Sequence, residues 1–104
     1  MDTLICVQTT VSSKQEAEKI INDVLAQKLA ACIQTWPVTS YFSWKDKPQK
    51  EEEYLIQFKL VKSAYTKLHD FLLKHHPYEC PEVISFDLEQ VSDPYLNWAN
   101  SQQD

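Results

Sequence analysis

Two stretches of alternating residues on either side of Lys45-Asp46-Lys47-Pro48 constrain this chain more than any other feature. From Ala30 to Trp44 one parity carries Ala30, Cys32, Trp36, Phe42 and Trp44, and the other carries Ala31, Ile33 and Tyr41. After the turn and a charged approach, Tyr54, Ile56, Phe58 and Leu60 alternate again. A period of two in β-branched and aromatic residues marks strands, so the two stretches read as one long hairpin. A strand of ~14 residues at ~3.3 Å each reaches about 45 Å, whereas a domain of this size has a radius of gyration near ~13 Å. The hairpin must therefore overhang its own core, and its free edges and aromatic side chains call for another subunit. A homo-oligomer is expected on that ground alone. Pro37 cannot donate to a ladder, which places it at an edge or a bulge.

The remaining segments complete a pattern. Residues 3 to 10 form a short strand with apolar residues on both faces, closed by Thr9-Thr10-Val11-Ser12. Ser13 followed by Glu16 has capping-box spacing, and Ala17, Ile20, Ile21, Val24 and Leu25 recur at helical period, predicting a helix to about Leu29. Ser63 caps a second helix with Ala64, Leu68, Phe71, Leu72 and His75 on one face, ended by Pro77. Ile84, Phe86 and Leu88 give a last strand, and Ser92-Asp93-Pro94 opens a short helix packed through Tyr95, Leu96, Trp98 and Ala99. Strand, helix, strand, strand, helix, strand is the order of an α+β, ferredoxin-like double βαβ sandwich. Residues 1–104 are expected to form one such domain, with a long central hairpin and a short C-terminal helix.

Composition removes several functions. With 43% hydrophobic residues, three Trp, five Tyr and four Phe, the chain can bury a core. No stretch approaches the ~20 apolar residues of a membrane span, and no secretory signal opens the chain, so a cytoplasmic protein without a membrane partner is expected. Cys6, Cys32 and Cys80 are irregularly spaced and odd in number, which suits reduced thiols. All ten basic residues are Lys, against fifteen Asp and Glu, for a net charge of −5. Without Arg or a basic stripe, nucleic-acid binding is disfavoured, and the surface attracts cations instead. Glycine is absent, which excludes phosphate loops that need close backbone approach.

The segment His75-His76-Pro77-Tyr78-Glu79-Cys80-Pro81-Glu82 gathers imidazole, phenol, thiol and carboxylates between a helix and a strand. Together with Leu29-Ala30-Ala31-Cys32 before Pro37, Ser40-x-Phe42-x-Trp44, Glu53, Lys59 and Tyr95-Leu96-x-Trp98, it resembles the CutA divalent-cation tolerance family. The resemblance covers nearly the whole chain. It implies a ferredoxin-like subunit in a tight homotrimer, similar to the PII signalling proteins. It also implies clefts at the subunit interfaces, binding of copper or other divalent cations, and no catalytic activity. Some members place a metal-binding Cys in the first strand; the matching position here is Thr9, with Cys6 three residues earlier on the opposite strand face.

His76 and Glu82 are the residues expected to hold a metal ion, with Cys80 as a soft third ligand, a set suited to Cu2+ and less to Zn2+. His75 and His76 could equally cap the last carbonyls of the second helix. Glu53, Lys59 and Tyr78 are expected to bind a ligand at an interface cleft, or, with Glu82, to form a buried ion pair that registers subunits. Trp36, Phe42, Trp44 and Trp98 are read as packing residues between subunits, and Trp44 is also the ring offered to a ligand. Of Glu51-Glu52-Glu53, only Glu53 is expected to turn inward. Two functions remain in view, a non-enzymatic trimeric binder of divalent cations or small ligands and a scaffold trimer with no dedicated metal site. A hydrolase of acylphosphatase type lacks its Arg cradle here, and an RNA-recognition domain lacks its basic aromatic strand.

Overall fold

The computed structural model describes residues 1–103. In chain order the elements are β1 (Leu4–Val11), α1 (Lys14–Ala26), β2 (Cys32–Trp44), β3 (Lys47–Val61), a 3-10 turn (Lys62–Ala64), α2 (Tyr65–His75), β4 (Ile84–Asp87) and α3 (Asp93–Gln102). The strands form one sheet in the order β2-β3-β1-β4 with every neighbour antiparallel. This is the ferredoxin-like arrangement expected from the sequence.

One face of the sheet is covered by helices. Ile5, Val7 and Val11 of β1 and Ile56, Phe58 and Leu60 of β3 point to that face, where they meet Ala17, Ile20 and Val24 of α1 and Leu68 and Leu72 of α2. Each fully buried large apolar side chain in this cluster contributes about 1.5–3 kcal/mol by transfer from water. On the opposite face α3 covers only one end, through Ala99 against Leu4 and Val61. The rest carries a polar row, in which Gln57 donates to Gln8 at 2.9 Å, flanked by Ile84 and Phe86 of β4. Those two apolar side chains remain 49% and 44% exposed. Among the described residues no helix is long and apolar enough to cross a membrane.

The overhang follows from unequal strand lengths. β2 and β3 pair continuously from Cys32↔Lys59 to Trp44↔Lys47, whereas β1 ends at Val11 opposite Tyr54. The ribbon between Val38 and Glu53 therefore runs past the core, and the molecule measures 45 × 26 × 22 Å. Pro37 does not interrupt β2. Antiparallel positions alternate between bonded and non-bonded pairs, and counting from the bonded pair Trp44↔Lys47 places Pro37↔Tyr54 and Ser43↔Pro48 at non-bonded positions, where no N–H is required. β2 is an edge strand, as Pro37 implied.

Two boundaries, the end of α1 and the hairpin turn, depart from the sequence expectation for one shared reason, the use of left-handed backbone without glycine. α1 stops at Ala26, because Lys28 takes φ 56° and Leu29 N–H returns to Val24 O at 3.0 Å while Lys28 N–H bonds Leu25 O at 3.1 Å. That is a Schellman closure with lysine at the position glycine usually fills. The hairpin turn is two residues, not four: Lys45 (φ 51°) and Asp46 (φ 64°) are both left-handed, and Lys47 and Pro48 already belong to β3. Ser63 is not the cap of α2; it lies in the 3-10 turn, and the N-cap, Ala64, makes no side-chain bond. Ser13 does cap α1, accepting from Glu16 N–H at 3.1 Å, but the Glu16 carboxylate bonds the hydroxyls of Ser12 and Ser13 instead of the backbone N–H of Ser13. Leu88 lies just beyond β4, although its N–H still reaches Leu4 O at 3.1 Å.

Left-handed backbone costs a non-glycine residue about 1 kcal/mol. Lys28→Gly and Asp46→Gly are accordingly expected to raise the urea midpoint by an amount corresponding to at most roughly 0.5 kcal/mol each, once the ~0.5–1 kcal/mol entropy of an added glycine is set against that cost. A lower midpoint in both variants would show that the side chains at these turns contribute more than the backbone angle costs.

Candidate functional site

The end of β1 creates the site. Glu53 is the first residue of β3 beyond the last β1 partner, Tyr54, so one side of the ribbon is open from there to the turn. The segment that follows α2 passes through this opening, and His76 anchors it. The His76 backbone N–H bonds Leu72 O at 2.8 Å, ending the helix, while its side chain turns inward and is buried. Imidazole Nε2 lies 2.9 Å from Thr10 O and 3.0 Å from Thr9 Oγ1, and Nδ1 accepts from Tyr78 N–H at 3.1 Å. An acceptor at Nδ1 and a carbonyl facing Nε2 require the neutral ring with its proton on Nε2. Burial holds the His76 pKa below the usual 6.5, opposed by the Thr10 carbonyl and by the charges of Glu16 and Glu53.

Two residues on, the Tyr78 hydroxyl donates to Glu53 Oε2 at 2.6 Å. Burial first, and then the Glu53 carboxylate, push the Tyr78 phenol well above the usual range, so it remains a donor at every physiological pH. Glu53 itself is only 7% exposed and, among the described residues, has no basic partner. Above this pair opens a cleft of about 400 Å³ lined by Ser12, Phe42, Trp44, Gln49, Glu51, Glu52, Glu53, Tyr78, Glu79 and Cys80. The register explains the lining. Phe42 and Trp44 of β2 share a ribbon face with Gln49, Glu51 and Glu53 of β3, because directly paired residues point to the same side. Glu52 has the opposite parity and accepts instead from Thr39 Oγ1 at 3.1 Å.

The structure brings together some of the residues singled out from the sequence and separates others. Glu53, Tyr78 and Trp44 meet in the cleft, with Cys80, an exposed free thiol, on its wall. Lys59 is not there. It lies six residues along β3, ~20 Å away at strand rise, and donates to Gln34 Oε1 at 2.5 Å, so it neutralises no cleft carboxylate. His76, Glu82 and Cys80 are not gathered into a ligand set: both imidazole nitrogens hold the loop, and the exposed Glu82 accepts from Gln8 Nε2 at 3.0 Å. Among the described residues no three His, Cys, Asp or Glu side chains are placed to hold one ion. His75 caps nothing through its side chain; its exposed ring stacks on Phe71 at 4.5 Å.

Glu51, Glu52, Glu79, Gln49 and Ser12 line the cleft although the sequence does not single them out for binding, and Phe42, read from the sequence as packing, lines it too. A two-residue turn at Lys45-Asp46 would have revealed Glu51 and Phe42 as same-face neighbours, but left-handed Lys and Asp carry no such signal. Thr9 and Thr10 are buried on the His76 ring, a long-range contact that no local pattern announces.

The His76 geometry has a pH consequence with a definite sign. A folded-state pKa below the unfolded value means the unfolded chain binds the extra proton more readily, so this stabilisation is complete above the unfolded pKa. It is lost as pH falls from about 6.5 toward the lower folded pKa. Thermal unfolding should therefore move to lower temperature between about pH 7.5 and about pH 5.5. His76→Gln, which keeps a donor and an acceptor without titrating, should flatten that dependence. An unchanged slope in the variant would show that His76 does not carry it.

Comparison with known proteins agrees with the architecture. The family described as CutA1 divalent ion tolerance protein matches residues 5–102. A probable divalent-cation tolerance protein cutA homolog from Encephalitozoon cuniculi is 34% identical over 95 residues, covering 91% of this chain and 83% of the relative. Protein CutA from Homo sapiens is 38% identical over 90 residues, covering 86% of this chain, which spans about half (50%) of that relative's length. Among solved structures, the divalent ion tolerance protein CutA1 of Ehrlichia chaffeensis superposes with a TM-score of 0.95 at 26% identity, over 100% of this chain and 98% of its own. With the family matching residues 5–102 and a solved member superposing over the whole chain, the chain belongs to the CutA1 divalent ion tolerance proteins.

Proposed function

We propose that this protein is a non-enzymatic homotrimer that binds divalent cations, Cu2+ before Zn2+, or a small ligand in clefts at its subunit interfaces. Its family is one of divalent-cation tolerance, and the proposal locates that role in the cleft above Glu53. The observation that carries it is a nearly buried carboxylate with no cationic partner among the described residues, in a cleft whose lining includes three further glutamates and no lysine. A buried charge is normally paired or bound to an ion, so this one calls for a cation from outside the chain. Among the described residues the lining includes no histidine to serve as a base; Cys80 is free and the neighbouring phenol is a bound donor, which supports a non-enzymatic role. The free thiols favour a cytoplasmic setting.

The trimer is supported by what one copy leaves unsatisfied. Among the described residues the β2 and β4 edges are unpaired, and Trp36, Tyr41, Phe42, Ile84 and Phe86 are all substantially exposed. Because the cleft lies where the ribbon leaves the core, a neighbour seated on that ribbon also borders the cleft. The scaffold reading is favoured by a different observation: the Tyr78–Glu53 bond joins the loop to the root of the ribbon and fixes its angle.

Sedimentation and calorimetry together separate these readings. The molar mass is expected to be three times that of one chain, and a monomer at micromolar concentration removes the interface clefts. Titration with Cu2+ and Zn2+ is expected to be saturable and weakened about tenfold or more by Glu53→Gln, since a hydrogen-bonded charge contributes about 1.5–3 kcal/mol. Glu82→Ala and His76→Ala should affect it less. A melting temperature lowered by Glu53→Gln with no saturable cation in the wild type would establish the scaffold role instead.

A further inference from the structure

The cleft offers its charge beside aromatic walls, and that combination selects among cations. Glu53 Oε2 is taken by the Tyr78 hydroxyl, and Oε1 accepts no bond from the described residues. Among the described residues no fully buried side-chain polar atom lacks a partner, so Oε1 is not sealed off, and the cleft is the opening that Glu53 lines. Glu51 follows on the same ribbon face, its Cα ~7 Å along the strand. Phe42 and Trp44 stand on that face across the hairpin, and Glu79 borders the far wall.

A bare metal ion uses only the carboxylates of this arrangement and completes its shell with water. Bonds of about 2–2.5 Å demand that several ligand atoms converge, and no three candidate side chains do so among the described residues. The aromatic walls supply no ligand at all. An anion is disfavoured, since no basic side chain lines the cleft. An organic ammonium is suited to both features, because its N–H groups serve carboxylates while its methylenes and its diffuse charge lie on aromatic faces. Of the two rings, Trp44 already has an ammonium group beside it: Lys45 Nζ sits 5.9 Å from its ring centre. A volume of about 400 Å³ is in the range of small-molecule sites.

We infer that the cleft takes an aliphatic polyammonium cation, with successive ammonium groups at Glu53 and Glu51 and the methylene chain along Phe42 and Trp44. The inference rests on the cleft being a cation site, as proposed above, and names the class of cation.

Spermidine titrated calorimetrically into the intact protein, at about 150 mM salt to screen diffuse attraction, tests it. Saturable binding is expected, weakened about tenfold by Trp44→Leu and by Glu53→Gln. Trp44 is half-exposed next to the turn, so its substitution leaves the core intact, and Gln at position 53 keeps an acceptor for Tyr78. Binding of Cu2+ without binding of spermidine would overturn the inference and leave the cation cleft standing. Failure of both ligands would remove the two together. Spermidine binding that neither substitution weakens would also overturn it, as attraction to the net charge of −5 alone.

Discussion

Everything distinctive about this fold depends on a mismatch of strand lengths within one sheet. Thirteen residues of β2 pair without a break against β3, while β1 supplies eight and stops at Val11. The helices cover only the part of the sheet that β1 reaches, so the rest of the hairpin has no core of its own. A two-stranded ribbon is marginal in water without a third layer. This leaves the ribbon in need of neighbours and leaves its side next to Glu53 open. Both the expected assembly and the cleft follow from that one inequality.

The loop after α2 turns the opening into a site, and it does so through a buried histidine. His76 ends the helix with its backbone and spends both ring nitrogens on β1 and on Tyr78, so the loop is tied to the sheet at one point. Tyr78 then reaches the ribbon and holds the Glu53 carboxylate by one oxygen. The result is a rigid floor of hydrogen bonds beneath a cleft lined by Glu51, Glu79 and the Glu53 carboxylate, whose second oxygen accepts no bond from the described residues. The same bonds explain why the imidazole is not presented as a metal ligand in this arrangement. A ring engaged on both sides has no lone pair to offer.

The absence of glycine shaped the molecule less than expected. Three positions adopt left-handed backbone with Lys28, Lys45 and Asp46, and the hairpin turns in two residues despite lacking the usual Asn-Gly pair. Strand pairing over thirteen partners outweighs a local cost of about 1 kcal/mol at each site. Tertiary context overrides propensity, and for that reason neither the helix end nor the turn length follows from the local sequence.

Periodicity by itself determined the element order, the fold class, the overhang and the edge position of Pro37, because alternation and helical spacing are read from neighbours in the chain. Glu53 turning inward and the Tyr78 loop were legible for the same reason. What only the tertiary structure decided was which side chains converge. It placed Lys59 at the wrong end of β3 for the cleft, gave His76 to Thr9 and Thr10, and joined Phe42 and Glu51 across a turn whose length the sequence did not declare. Such meetings depend on register and strand ends. A shift of one residue reverses every face, and no local pattern carries that information.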